Sequence, residues 1–373
     1  MNSKERTLRS MNFEEPDMVP IAELGVDVNV MELILNTRSG AASAGQGAVI
    51  ADRRSESAYY QLVFDAYKKL GFDIVYAESS LPDGYAPKRL EDGSLVDEIG
   101  RVHGYDQTTK TYSYTRSIFQ TVEDVDKFLK EEFPDPYAPG RDFGLKLLAE
   151  LNKGFMALGA SLRDGFAHLW EALTPVKFVY WMHSNPSLVN KFMQKMTEFN
   201  KGLVKTYGEL GVDVIVLGGD LCDARAPMLP PDQFRKLGIF QAMREYVEIA
   251  HKYGSKVIKH SDGNIIPLLD DLVNVAGIDG LQSLDPSAGV DIAEIKKKYG
   301  DKLVLYGNVS VDNLALKKRE DIVEETKRVI KVASPGGGHI LSSSNSWYGG
   351  VKLENCLAMV ETGRKYGKYP IRF

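Results

Sequence analysis

The stretch Lys256–Asn264, KVIKHSDGN, decides the fold. Gly254 stops the helical run HKYG before it, and Val257 and Ile258 read as a short apolar strand. The strand ends abruptly in His260, Ser261, Asp262 and Gly263. A buried parallel strand that discharges a histidine and a carboxylate at its carboxyl end is how an α/β barrel presents catalytic groups. His260 and Asp262 stand one strand repeat apart, so both project to the same side of the extended chain.

Working outward, the same punctuation recurs. AYKKLG precedes Phe72–Glu78, LVKTYGELG precedes Val212–Asp220, and KKKYGD precedes Lys302–Ser310. Alternating helix and strand implies parallel strands joined by right-handed crossovers. Val19–Gly25, Phe155–Leu162, Ile278–Asp285 and Gly338–Asn345 bring the strands, with that of KVIKHSDGN, to eight. The expectation is an α/β protein, a single (β/α)8 TIM-barrel domain over residues 1–373. The helices carry matching signals. Asn185-Pro186 is a helix start, and Leu188, Phe192, Met196, Phe199, Leu203 and Tyr207 recur at helical spacing. Further helices are expected over Ser57–Leu70, Asp291–Tyr299, Glu320–Val332 and Leu353–Tyr366, and one from Pro231 to Gly254. Leu90–Phe119 instead alternates apolar and polar residues around Asp92-Gly93 and Asp106-Gln107. It predicts a β-hairpin flap inserted after the second strand, over the barrel mouth.

Charge excludes some partners. The 46 Lys and Arg are interspersed with 51 Asp and Glu, a net charge of −5, so there is no basic stripe for nucleic acid or an anionic membrane surface. No run approaches the roughly 18 apolar residues of a membrane span. Cys222 and Cys356 are far apart, and MNSKERTLRSMNFEEPDMVP has no apolar signal core, so the expectation is a reduced, cytoplasmic chain.

On this fold the strand ends carry the site. They deliver Glu23 and Asp27; Glu78, Ser79 and Ser80; Arg163 and Asp164; Asp220, Cys222, Asp223 and Arg225; His260 and Asp262; Gln282 and Asp285; Asn308; and Ser342–Tyr348. Asp164, Asp223 and Asp285 serve equally well as N-caps of the helices that follow. His183 and His251 lie on or beside helices and read as surface or packing residues. His260, with Asp262 or Asp220 beside it, suits a general acid and base or a metal ligand, and spacing alone does not choose. No HxxxH or CxxC occurs, which argues against structural zinc and leaves a catalytic metal on His260, Asp262 and Asp220 open. Pro335-Gly336-Gly337-Gly338 precedes a strand, so it does not read as a phosphate cradle.

The run from VIKHSDGN through GIDGLQSLDPSAGV and KLVLYGNVS to GGGHILSSSN resembles the carboxyl half of the uroporphyrinogen decarboxylase superfamily. That superfamily holds decarboxylases and cobalamin-linked methyltransferases, and the resemblance implies a (β/α)8 barrel. The decarboxylases carry an RQAGR segment after the first strand, for substrate carboxylates. Here the stretch is VDVNVMELILNTRSG, with only Arg38 close by. Their catalytic aspartate is matched by Glu78, and their late histidine by Asn345. The thiol-activating methyltransferases bind zinc through an H-x-C pair and a later cysteine. This chain keeps His260 but has Asp262 and Ser343 or Ser344 at the cysteine positions. Thiolate zinc, and with it a thiol acceptor, is therefore not expected.

What the resemblance then implies is a methyltransferase component moving a methyl group from an O- or N-methyl donor, such as a methoxylated aromatic, to a corrinoid on a partner protein. His260, Asp262, Asp220 and Glu78 are the expected catalytic residues, with zinc an open option. Asn308, Asn345, Trp347, Tyr348 and Arg163 are expected to bind substrate, with Phe166 and Tyr85 as further aromatic surface. Decarboxylation of a porphyrinogen-like acid and ligand binding without catalysis are the alternatives.

Overall fold

The computed structural model describes residues 1–39, 52–106 and 111–373. Seven strands form one parallel sheet: β1 (Ile74–Glu78), β6 (Ala157–Arg163), β7 (Val214–Gly218), β8 (Lys256–Ser261), β9 (Gly280–Ser283), β10 (Val304–Tyr306) and β11 (His339–Ile340), hydrogen-bonded in that order. The sheet curls, with helices between its strands, in a TIM-barrel-like arrangement. Its inner face is a compact cluster of Ile74, Tyr76, Val216, Ile258, Val304 and Tyr306. Ile258 faces inward, so the strand's period of two turns His260 the same way and sends Val257 and Lys259 toward the helices.

Residues 19–25, expected as an eighth strand, form no regular ladder. Ile21 bridges Leu341 just past β11, and its carbonyl accepts from the amide of Asp73, just before β1, at 2.7 Å. Pro20 has no N–H to offer a ladder, and its carbonyl accepts from Leu341 at 2.8 Å. Glu23 ties this segment down. Its buried carboxyl accepts from the Ser343 amide and hydroxyl, each at 2.7 Å, and from the Ser342 hydroxyl at 3.2 Å. Burial outweighs those bonds and raises its pKa from 4.5 to about 8.

Between β1 and β6 lies a four-stranded antiparallel sheet where two strands were expected: β2 (Lys88–Arg89), β3 (Leu95–Val96), β4 (Arg101–Asp106) and β5 (Thr111–Ser117). Gln107, of the expected Asp106-Gln107 turn, lies outside the described residues. Arg101 anchors this sheet, donating to Asp97 and to Glu171 at 2.6 Å each. The helix expected from Pro231 is two helices, Pro231–Lys236 and Ile239–Lys252, because Gly238 takes a φ of +71° between them. The long helix Pro186–Glu209 buries its whole apolar stripe, from Leu188 to Tyr207.

The strand ends at the centre of the sheet are fixed by Lys259, whose side chain is fully buried. Its ammonium donates to Asp164 at 2.6 Å, to the Gly219 carbonyl at 2.5 Å and to the Leu217 carbonyl at 3.3 Å. Asp164 in turn accepts from the Ala167 amide at 2.7 Å and so caps the helix Gly165–Leu173. One cation thus holds the ends of β6, β7 and β8 in register.

Two outcomes are expected. Lys259→Met leaves Asp164 as an uncompensated buried charge and costs about 3–5 kcal/mol in urea unfolding, and adding Asp164→Asn, which keeps the cap, recovers much of it. An unchanged midpoint in the single variant would refute the strut. Folded Glu23 keeps a proton that the unfolded chain releases above pH 4.5, so this group's stabilisation fades as pH rises toward 8. Relative to Glu23→Gln, the wild type should lose about 1.4 kcal/mol per pH unit across that window, and a pH-independent difference would contradict it.

Candidate active site

A cavity of about 490 Å³ lies at the carboxyl ends of the strands, within the usual size range for small-molecule sites. His260 stands on its wall, buried to within 7% of full coverage. Its Nδ1 hydrogen-bonds the Gln282 side-chain oxygen across the β8–β9 pair, where the two residues are directly in register. The Gln282 amide nitrogen donates to the Ser343 carbonyl at 3.5 Å, which orients the amide with its oxygen toward the ring. An acceptor at Nδ1 puts the proton of the neutral ring there and leaves the Nε2 lone pair open. Gln282, and neither Asp262 nor Asp220, sets the tautomer, because neighbouring strands place it opposite Nδ1.

Nε2 faces carboxylates. Asp220 Oδ1 is 3.7 Å from it and also accepts from the Asp262 amide at 2.9 Å. His260, Asp220 and Asp262 each offer a ligand atom within 4.8 Å of the others. Asp262 Oδ2 accepts from the Asn345 side-chain amide, whereas Oδ1 is sealed from solvent and has no partner among the described residues. Burial raises the Asp262 pKa, His260 lowers it, and Asp220 raises it further. One imidazole nitrogen and two carboxylates, one with an orphaned buried oxygen, suit a borderline or hard divalent cation. Cys222 adds no thiolate: burial, then Asp220 and Asp223, push its thiol up to about 12.

The other expected site residues divide. Glu78, at the end of β1, lines the cavity beside Tyr59 and Tyr60, whose hydroxyls it helps keep protonated, and lies outside the His260 cluster. Arg163, Asn345 and Tyr348 line the cavity too. Trp347 does not. It is fully buried and packs edge-on against Phe72, with centroids 5.5 Å apart, because its amide and carbonyl pair with Gly25 and Asp27 and draw it inward. Asn308 is fully buried as well, donating to the Leu284 carbonyl at 2.8 Å. Phe166 sits in the helical layer against Phe234 and Phe178. Asp164, Asp223 and Asp285 accept from amides two or three residues on, as caps and turns do.

Several wall residues lie outside the expected set. Arg101 and Asp97 come from the antiparallel sheet, and His168 sits one turn into the helix Gly165–Leu173. Burial, then Arg101 and Arg163, hold the His168 pKa well below its ordinary 6.5. Both arginines bond one carboxylate, Glu171. Only the polar residues of an otherwise apolar helix, HLWE, pointed here.

The family described as uroporphyrinogen decarboxylase (URO-D) has a model that matches residues 168–366, more than half of the chain. A uroporphyrinogen decarboxylase from Sulfurimonas denitrificans is 27% identical over 192 residues, and one from Aliarcobacter butzleri is 26% identical over 196. Each alignment covers 50% of this chain and 51% of the relative, so the chain spans about half the length of these curated relatives. Among solved structures, a methyltransferase from Methanosarcina mazei superposes with a TM-score of 0.72 over 98% of this chain and 99% of that one. At 20% identity this is a likeness of fold. The matched segment holds the His260 cluster, its tautomer-setting glutamine and the last strand ends, and the chain belongs to the uroporphyrinogen decarboxylase (URO-D) family.

Proposed function

We propose that the protein is a methyltransferase component that moves a methyl group from an O- or N-methyl donor, foremost a methoxylated aromatic, to a corrinoid carried by a partner protein. The observation that carries this reading is the His260 ring, fixed by Gln282 with Nε2 open at the cavity and carboxylates behind it. An aryl methyl ether resists demethylation because its leaving group is a phenolate, so the protein's task is to supply a proton or positive charge at the ether oxygen.

The residues suit that task. A proton taken up at Nε2, the nitrogen 3.7 Å from Asp220, can pass to the departing oxygen as the methyl–oxygen bond breaks, releasing a phenol. Asp262, held by Asn345, stands beside the ring. Tyr59, Tyr60 and Tyr348 offer aromatic surface for the donor ring. The partner's corrinoid supplies the nucleophile. Should a divalent cation bind, His260, Asp220 and Asp262 would hold it, and it would supply Lewis acidity at the same oxygen.

The decarboxylase matches favour a second reading, loss of carbon dioxide from a polycarboxylate. Against it stands the wall's charge. Among the described residues it carries the carboxylates of Asp27, Glu56, Glu78, Asp97 and Glu98, and its two arginines both bond Glu171. A substrate with many carboxylates would meet repulsion and few open cations.

The test is methyl transfer from a panel of methoxylated aromatics and N-methyl compounds to a reduced corrinoid protein. Transfer should fall by about 10²–10⁴ in His260→Ala, the range for loss of a general acid. No transfer across the panel with a competent corrinoid partner, or carbon dioxide release from uroporphyrinogen, would overturn the proposal. Metal analysis separates the two ways of activating the oxygen: one equivalent lost on His260→Ala supports Lewis acidity, and a metal-free active enzyme supports proton transfer.

A further inference from the structure

We infer that His168, Arg163 and Arg101 form a second subsite in the cavity, one that receives a single carboxylate on the substrate. This rests on the functional reading above only for where the reacting end lies. The subsite itself is built from wall residues that reading does not use.

Arg163 ends β6, and His168 and Glu171 lie on the helix that follows, one turn apart. Arg163 gives Nη2 to Glu171, and its Nε is buried without a partner among the described residues. No bond is made by its Nη1 among the described residues, and the side chain keeps 20% of its surface open. Arg101 shares the same Glu171 and spends its Nε on Asp97, which also bonds His103. Two guanidiniums therefore lean on one shared carboxylate, and Arg163 is the less compensated of them. The imidazole of His168, on the same cavity wall, is under-satisfied too: its Nδ1 is sealed and has no partner among the described residues.

A buried imidazole tolerates an unpartnered lone pair better than an unpartnered N–H. The tautomer follows: the proton sits on Nε2, at the edge by which the ring can reach the cavity. Burial first, and then Arg101 and Arg163 against Asp97, depress the ring's basicity and keep it a neutral donor. A carboxylate entering this corner gains the Nε2–H and the open edge of Arg163, both in one cavity with His260. Room for one such group fits a wall that also carries the carboxylates of Asp27 and Glu78. The donor class that follows is a methyl ether bearing one carboxylate away from the methoxy group.

Titration calorimetry with benzoate and benzamide on the full chain tests this without any partner protein. Benzoate should bind the wild type about tenfold more tightly than benzamide, as expected for a charge-assisted bond against a neutral one. His168→Phe should cut that ratio severalfold, leaving the part that Arg163 supplies, with the benzamide affinity kept, and His168→Gln, which retains a donor, should keep more of the preference. Equal binding of the two probes by the wild type, or a parallel loss of both in His168→Phe, would overturn the subsite. Should His168→Phe fail to fold, the wild-type ratio and His168→Gln still decide. A preference for benzoate with no methyl transfer would overturn the proposed reaction and leave the subsite standing.

Discussion

The ion pair between Lys259 and Asp164 is the constraint on which the site depends. A charge this deep is tolerated only with a partner and further hydrogen bonds, and Lys259 has both at the ends of two neighbouring strands. Its placement has a directional consequence. Because strand residues alternate, sending Lys259 to the helical layer obliges His260 to face the interior. Asp164 binds the cation with one oxygen and caps a helix with the other, and that helix carries His168 and Glu171 to the wall. The strut under the sheet thus orients both imidazoles of the cavity.

From that frame the cavity has two chemical ends. Around His260 the groups are carboxylates and neutral amides, arranged so that Nδ1 is bonded and Nε2 is open. Around His168 burial, and then the two arginines, hold the ring neutral. A site divided in this way can grip a substrate by an anionic group and deliver a proton or cation at its other end. It is poorly suited to a ligand with negative charge on every side.

Four of the strands were legible because each follows a helical run that stops at a glycine, a signal local to a few residues. β8 and its His260, Asp262 pair could be read directly, as could the helices Leu353–Tyr366 and Asp291–Tyr299, the latter capped by Asp291. Residues 19–25 looked like another strand, yet Pro20 and the Glu23–serine bonds make it a bridged segment instead. Long-range partners were not legible. Gln282 is 22 residues from His260 and Glu171 is 70 from Arg101, and nothing in either neighbourhood names the other. Trp347 misled for a related reason: aromatic residues at a strand end look alike until packing decides that Trp347 turns to Phe72 while Tyr348 stays at the cavity.

The central claim is that His260 presents an open Nε2 to the cavity because the Gln282 side-chain oxygen accepts a hydrogen bond from Nδ1–H. Nitrogen-15 NMR of the imidazole side chains, assigned through His260→Gln, reads this directly on the resting protein. The account predicts a neutral ring that carries its proton on Nδ1. A neutral ring protonated on Nε2 would contradict it, since the nitrogen assigned to the substrate would then have no lone pair to take up a proton or a metal.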